Sequence, residues 1–223
     1  MPAKNSQKTY VEGGYYHIYN RGVEKREIFS NDLDFAVFIN YLKQYLSPQD
    51  PSIMLKLNTN PDFSAREKQR IRKALSVKNY NSDIQLLAYC LMPNHFHLFL
   101  KQTSIDGIDR FMSSLGTRYT MYFNRSHNRV GKLYQGVYKA VLMTDEAQYL
   151  HITRYIHKQA LNKGNAGQKD FPSSFPEYQG LRKTSWVHPE EILSFFSNTN
   201  PAHSYETFVA EYDSPDKNSE FEI

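Results

Sequence analysis

The chain has 223 residues, enough for one domain with a substantial hydrophobic core. Its single cysteine excludes an intramolecular disulfide, and no run of about 18 apolar residues is present to span a membrane. The formal net charge is +4, but residues 101–139 hold seven Lys or Arg against two Asp, whereas residues 203–223 hold six acids and one Lys. This distribution favours a polyanionic partner, with an ordinary solvated surface as the alternative. Because the first residues lack the apolar core of a signal peptide, we expect a cytoplasmic protein.

The first part of the chain predicts a strand, a helix and an insertion. Alternating apolar residues predict the strand at 15–20, after a polar lead-in. A helix capped by Asn31 or Asp32 should run to about residue 46, because its apolar residues recur at helical spacing. The basic segment at about 48–80 then separates this helix from the next strand, and the sequence assigns it no role.

The second part of the chain predicts two strands, a long helix, another strand and a further long helix. These elements are expected at residues 84–92, 95–101, 107–125, 139–143 and 146–161. Without the insertion, the order is the split βαβ arrangement of ferredoxin-like folds plus one added helix. We therefore predict an α+β domain at residues 1–165, built on an antiparallel sheet that carries helices on one face and leaves the other face free. Residues 166–223 are predicted to be a partly helical C-terminal extension with an acidic, frayed end.

The most informative short motif is the pair His95 and His97 on a predicted strand. Side chains at positions i and i+2 of a strand lie on one face, so the two imidazoles should lie a few ångströms apart. That arrangement suits two neighbouring positions around a metal ion. Two buried histidines that are each satisfied by a hydrogen bond remain the alternative on spacing alone.

A second pair of polar residues lies on the last long helix. Tyr155 and Gln159 are four residues apart and therefore share one helical face. An ordinary packed aromatic is the usual interpretation of such a tyrosine, because a phenol with a pKa near 10 supplies little nucleophile at neutral pH. A nearby cation or metal ion would change that balance.

Taken together, these residues resemble the HUH single-tyrosine transposases, and in particular the branch of REP-associated tyrosine transposases related to insertion-sequence-200 enzymes. The resemblance covers roughly residues 15–180. It is carried by Tyr-His-Ile-Tyr-Asn-Arg-Gly at 16–22, Met-Pro-Asn-His-Phe-His at 92–97, Gly-Lys-Leu-Tyr-Gln-Gly at 131–136, Arg-Tyr-Ile-His at 154–157 and Phe-Pro-Ser-Ser-Phe-Pro at 171–176. One departure is Gln159 where REP-associated relatives often carry Asn; insertion-sequence members have Gln there.

The resemblance implies a metal-dependent DNA strand transferase that cleaves and rejoins single-stranded or hairpin DNA through a 5′-phosphotyrosine intermediate. It assigns Tyr155 as the nucleophile and His95, His97 and Gln159 as ligands of a divalent metal, Mg²⁺ or Mn²⁺. Such a ligand set is neutral, so the cation would keep its charge to polarise the scissile phosphate. The helix that carries Tyr155 is the added C-terminal helix of the predicted fold.

Cations and aromatics of the basic region are candidates for DNA contacts, through phosphates or through base stacking. They are Arg21, Lys101, Arg118, Tyr119, Arg125, Arg129, Lys132 and Lys139. Tyr122 and Phe123 are further stacking candidates, although packed aromatics at helical spacing more often belong to a core.

Two other functions stay open at this point. One is a nicking initiator of replication or mobilisation from the same superfamily, and the other is a non-catalytic nucleic-acid-binding module that uses a free sheet face. The sequence does not decide between a monomer and a homodimer, nor between action of Tyr155 in its own subunit and in a partner.

Overall fold

The structure is a computed structural model, and it describes residues 8–50, 52–53, 63–161, 170–197 and 199–211. Parts of the predicted insertion and most of the acidic end therefore lie outside the described residues. None of the described helices has the length and hydropathy needed to cross a bilayer.

A four-stranded antiparallel sheet forms the centre of the molecule. Its strands are β1 (Tyr15–Arg21), β2 (Ile84–Met92), β3 (His95–Gln102) and β4 (Lys139–Met143). They lie in the order β2-β3-β1-β4, so the two strands that are far apart in sequence, β1 and β3, pair at the centre. This order and the βαββαβ succession are those of a ferredoxin-like fold, as the sequence predicted.

The helices are α1 (Asp32–Leu46), α2 (Ala65–Leu75), α3 (Gly107–Ser126), α4 (Glu146–Ala160), α5 (Phe175–Tyr178), α6 (Glu190–Leu193) and α7 (Tyr205–Ala210). Their starts follow the predicted capping chemistry. The Asn31 side chain accepts a hydrogen bond from the Asp34 amide at 3.1 Å, and the Asp145 side chain accepts one from the Gln148 amide at 2.9 Å. Each cap satisfies one of the amides that the first helical turn leaves without a partner.

Helices α1 and α3 cover one face of the sheet. Phe38 of α1 and Phe111 of α3 are fully buried there against the side chains of Ile18 and Leu98, which alternate toward this face on the two central strands. These four side chains belong to the larger of two hydrophobic cores, as the predicted helical and strand periodicities require.

The other face of the sheet is covered as well, which corrects the prediction of a free face. Helix α4 lies across β2 and β3, and its Ile152 and Ile156 are fully buried with Phe99 of β3 in a second core. The prediction erred because periodicity shows that a helix has an apolar face but does not show which surface receives it. A binding module that exposes its sheet face is therefore not what this fold presents.

The C-terminal extension packs into the second core and forms hydrogen bonds with the outer edge of β2. The amide of Leu91 donates to the carbonyl of Pro172 at 2.9 Å, and the amide of Ser174 donates to the carbonyl of Tyr89 at 3.0 Å. Tyr205 of α7 is buried beneath α4. The extension thereby holds α4, the helix that carries Tyr155, against its own sheet.

Candidate active site

The pairing register places the two histidines of the motif beside specific residues of β1. His95 lies opposite Arg21, and His97 lies opposite Tyr19, so all four side chains lie on the face that α4 covers. His95 is half-buried at the start of β3, whereas His97, two residues further along the strand, is fully buried. Their ring centroids are 5.1 Å apart, with the two planes perpendicular. The predicted side-by-side arrangement of the imidazoles is present.

His97 has a close neighbour in His17 of β1. The Nε2 atom of His17 and the Nδ1 atom of His97 are 2.8 Å apart, which is hydrogen-bond distance. Burial lowers the pKa of both imidazoles, that of His17 to about 3 and that of His97 well below its ordinary value. Both rings are therefore neutral at pH 7, the form in which imidazole binds metal ions.

His95 is oriented by the residue that precedes it. The Oδ1 atom of Asn94 lies 2.6 Å from Nδ1 of His95, while its Nδ2 atom donates to the carbonyl of Lys25 at 3.4 Å. Because an amide oxygen can only accept, Nδ1 of His95 carries the proton and its Nε2 carries the lone pair. Burial lowers the pKa of His95 to about 4, with a further contribution from the nearby Arg21 guanidinium.

Tyr155 extends from α4 to the buried histidines. Its ring meets that of His97 edge to face, with centroids 5.4 Å apart, and lies 6.4 Å from that of His17. The side chain is 8% exposed. The structure thus brings together three residues that are distant in sequence, which is the arrangement that the motifs predicted for Tyr155 and His97.

Gln159 is less closely tied to this cluster. It lies one helical turn after Tyr155 on α4 and is half-buried, but no hydrogen bond joins its side chain to either imidazole in the described part of the chain. Its place on the helix is the predicted one, and its role as a third ligand stays a prediction.

The residues present fit a divalent cation in part. The Nε2 atom of His97 is buried and has no hydrogen-bond partner among the described residues, which is costly unless something binds it. No group of three or more His, Cys, Asp or Glu side chains within the described ranges could hold a metal. A site here would therefore depend on the two imidazoles and on an amide oxygen, a neutral set compatible with the prediction.

Of the predicted DNA contacts, Arg21 and Lys139 lie near the histidines on the same face of the sheet. Arg21 adjoins His95 and also bonds the side chain of Gln135. Lys139 is the first residue of β4 and pairs with Tyr19, so Tyr19 alone separates it from His97 across the sheet.

Other members of the predicted set lie elsewhere. Lys101 is on the face of the histidines, but it lies six residues along β3 from His95, roughly 20 Å away, and is bound to Glu191 at 3.3 Å. Arg118 stacks on the ring of Tyr41 at 3.9 Å between α1 and α3. These helices cover the sheet face opposite the histidines. Near the end of α3 and in the loop after it, Arg125 and Lys132 are exposed, and Arg129 is half-buried. No described contact links these last three to the histidines.

The stacking candidates of α3 are corrected by their burial. Tyr119 is fully buried, and its hydroxyl donates to the carbonyl of Ile28 at 2.6 Å, so it cannot stack on a base. Phe123 is 3% exposed in the same core, and the hydroxyl of the half-buried Tyr122 donates to Asp34 at 3.0 Å. Helical spacing placed these rings on one face, and that face is the core.

Two further residues lie beside the imidazoles of His95 and His97, and the sequence motifs gave neither a site role. His17 was detectable from alternation on β1, but its approach to His97 depends on the pairing of β1 with β3. Asn94 lies in the turn before β3, and its hydrogen bond to His95 orients that ring.

Comparison with known proteins bears on the same region. Residues 53–159, which include both histidines, Tyr155 and Gln159, match the family model described as Transposase IS200 like. A search of curated proteins finds no match. Among solved structures, a REP-associated tyrosine transposase bound to a REP hairpin is 13% identical over 89% of this chain and 94% of its own, with a TM-score of 0.46. A protein from Deinococcus radiodurans R1, assigned as a transposase by inference, is 14% identical over 71% of this chain and 98% of its own, with a TM-score of 0.35. The family match confirms, over residues 53–159, the resemblance to IS200-like transposases that the motifs indicated.

Proposed function

We propose that this protein is a single-tyrosine DNA strand transferase that cleaves and rejoins single-stranded or hairpin DNA in transposition or recombination. The observation that carries the proposal is the edge-to-face contact between Tyr155 and His97, with ring centroids 5.4 Å apart. It places a phenol beside imidazoles that burial keeps neutral and able to bind a cation. The match of this segment to the IS200-like transposases supports the same chemistry.

In the proposed reaction, the hydroxyl oxygen of Tyr155 attacks the scissile phosphorus of the DNA. The bond between phosphorus and the 3′ oxygen breaks, which leaves a 5′-phosphotyrosine and a free 3′-hydroxyl. Tyr155 loses its phenolic proton in this step, and the departing 3′ oxygen gains one to become the hydroxyl. Attack by the 3′-hydroxyl of a second strand reverses the step and restores the phenol, so that the phosphodiester is transferred without an external energy source.

The other residues have supporting roles in this proposal. His95 and His97, with Gln159 as the third ligand, would hold Mg²⁺ or Mn²⁺, which would supply positive charge to the scissile phosphate. Arg21 and Lys139 lie on the same face and would bind the adjoining phosphates of the DNA strand.

The proposal is tested by trapping the covalent intermediate. The full-length protein is incubated with labelled single-stranded and hairpin oligonucleotides and Mn²⁺, and denaturing gels report adducts. Wild-type protein should form an adduct, and Tyr155→Phe should form none. Tyr149→Phe is the matched control, because Tyr149 lies on the same helix and stacks on Tyr15 at 4.3 Å, away from His97.

Two outcomes would count against this assignment. An adduct that persists in Tyr155→Phe would show that another residue is the nucleophile. If wild-type protein forms none with any of the hairpins, a non-catalytic nucleic-acid-binding function would be favoured instead.

A further inference from the structure

We propose that His17 is a positioning residue for His97: its Nε2 accepts a hydrogen bond from Nδ1–H of His97, which leaves the lone pair on Nε2 of His97 for a divalent cation. The inference rests on the proposed function, because it concerns how one of the suggested ligands is prepared. It adds a residue of β1 to a site otherwise formed by β3 and α4.

The two rings are held in a fixed relationship. The nitrogens are 2.8 Å apart, the ring planes are within 17° of parallel, and both side chains are fully buried. The ring of Tyr19 packs on His17 with centroids 4.9 Å apart. His17 therefore has little freedom to turn away from His97.

Two imidazole nitrogens at hydrogen-bond distance share one proton, so one of them donates and the other accepts. If His17 were the donor, His97 would carry its own proton on Nε2, where it could not bind a metal. If His97 is the donor, Nε2 holds a lone pair instead, and binding of a cation satisfies it.

The neighbouring histidine is arranged in the same way. Asn94 accepts from Nδ1 of His95 at 2.6 Å, and this contact leaves the Nε2 lone pair of His95 available. Both imidazoles thus have an acceptor at Nδ1, the arrangement by which metal-binding histidines are commonly oriented. His17 does for the buried ligand what Asn94 does for the half-buried one.

The variants that test this proposal alter the acceptor and keep the buried volume. His17→Phe preserves a ring but has no acceptor, whereas the amide oxygen of His17→Gln can accept near the position of Nε2. Ile18→Val lies next to His17, faces the opposite core and controls for a general loosening of β1. Long-range ¹H–¹⁵N spectra of the metal-free protein report which nitrogen of His97 is protonated, and Mn²⁺ titration followed by electron paramagnetic resonance reports affinity.

We expect His97 to be protonated on Nδ1 in wild-type protein. His17→Phe should lose that preference and bind Mn²⁺ about 10–100-fold more weakly, the usual effect of removing an outer partner of a ligand. His17→Gln should restore most of the affinity, and Ile18→Val should leave both measurements unchanged.

Several results would overturn the proposal. One is protonation of His97 on Nε2 in wild-type protein, and another is a Zn²⁺ complex in which Nδ1 of His97 and Nε2 of His17 are themselves the ligands. Wild-type binding that His17→Phe leaves unchanged would refute the positioning role alone. Wild-type protein that binds no Mn²⁺ would instead contradict the proposed function.

Discussion

The ring of Tyr155 stands at 89° to the ring of His97, so helix α4 contacts the sheet of its own chain at the centre of the candidate site. This contact joins the edge of one aromatic ring to the face of another, a favourable geometry for packing. It links the stability of the fold to the proposed chemistry, because the same side chain contributes to both.

That dual contribution can be separated by two substitutions at one position. Tyr155→Ala removes a ring that is 8% exposed and should lower the free energy of unfolding by about 3–5 kcal/mol. Tyr155→Phe keeps the ring and should change it by less than about 1 kcal/mol. Urea unfolding monitored by circular dichroism measures both. A loss below 1 kcal/mol in Tyr155→Ala would show that α4 does not rest on this sheet in solution.

The role of the metal is tested by removing it without altering the protein. Chelation with EDTA should abolish covalent adduct formation and leave oligonucleotide binding largely intact, because phosphate contacts from Arg and Lys need no metal. His97→Ala should weaken Mn²⁺ binding by at least the roughly 10–100-fold typical of losing an outer partner. Adduct formation at full rate in EDTA would contradict a metal-assisted mechanism.

Much of this architecture could be predicted from local patterns in the sequence. Alternation placed His95 and His97 on one face, and capping residues such as Asn31 marked where helices begin. These features depend on neighbours along the chain. The contact of His17 with His97 was not predicted, because it depends on β1 pairing with β3 across the intervening α1, α2 and β2. The position of α4 on the second face was missed for the same physical reason.

The charged surface was the least predictable part of the molecule. Lys101 and Lys139 look equivalent in the sequence, yet of the two only Lys139 lies near His97, because Lys139 and His97 both pair with Tyr19 of β1. Lys139→Ala should weaken binding of a single-stranded oligonucleotide and reduce the slope of log K against log salt by about 0.7, the value for one phosphate contact on a single strand. Lys101→Ala should leave that slope unchanged, since the cation pairs with Glu191 at 3.3 Å. Fluorescence anisotropy measures both affinities. Equal effects of the two substitutions would refute the proposed phosphate contact of Lys139.

Tyr119 offers a test of the corrected assignment. Tyr119→Phe removes a buried hydroxyl that donates to the carbonyl of Ile28 at 2.6 Å. The unfolding free energy should fall by about 1–3 kcal/mol, because that carbonyl loses its side-chain partner. Oligonucleotide affinity should not change, since the ring is fully buried. A selective loss of DNA binding with unchanged stability would restore the stacking role.

The attachment of α4 to the C-terminal extension predicts a specific acid sensitivity. His157 is buried between the hydroxyl of Tyr205, 2.6 Å from Nδ1, and the hydroxyl of Ser174, 2.8 Å from Nε2. Burial lowers its pKa to about 3 in the folded protein, against about 6.5 when unfolded. Above pH 6.5 neither state binds the proton and stability is unaffected. Between pH 6.5 and 3 only the unfolded state binds it, so the free energy of unfolding falls by up to about 1.4 kcal/mol per pH unit.

Replacing this imidazole should therefore flatten the acid limb of the stability profile. His157→Phe should reduce the slope between pH 6 and 4 by about one proton, measured by urea unfolding at each pH. Ser174→Ala is the matched control, because it removes the hydroxyl that bonds His157 and also accepts from the amide of Tyr89, and it keeps the imidazole. It should lower stability by a similar amount at every pH and retain the wild-type slope. An unchanged slope in His157→Phe would mean that this histidine is protonated in the folded protein, and that the junction between α4 and the extension is open to water.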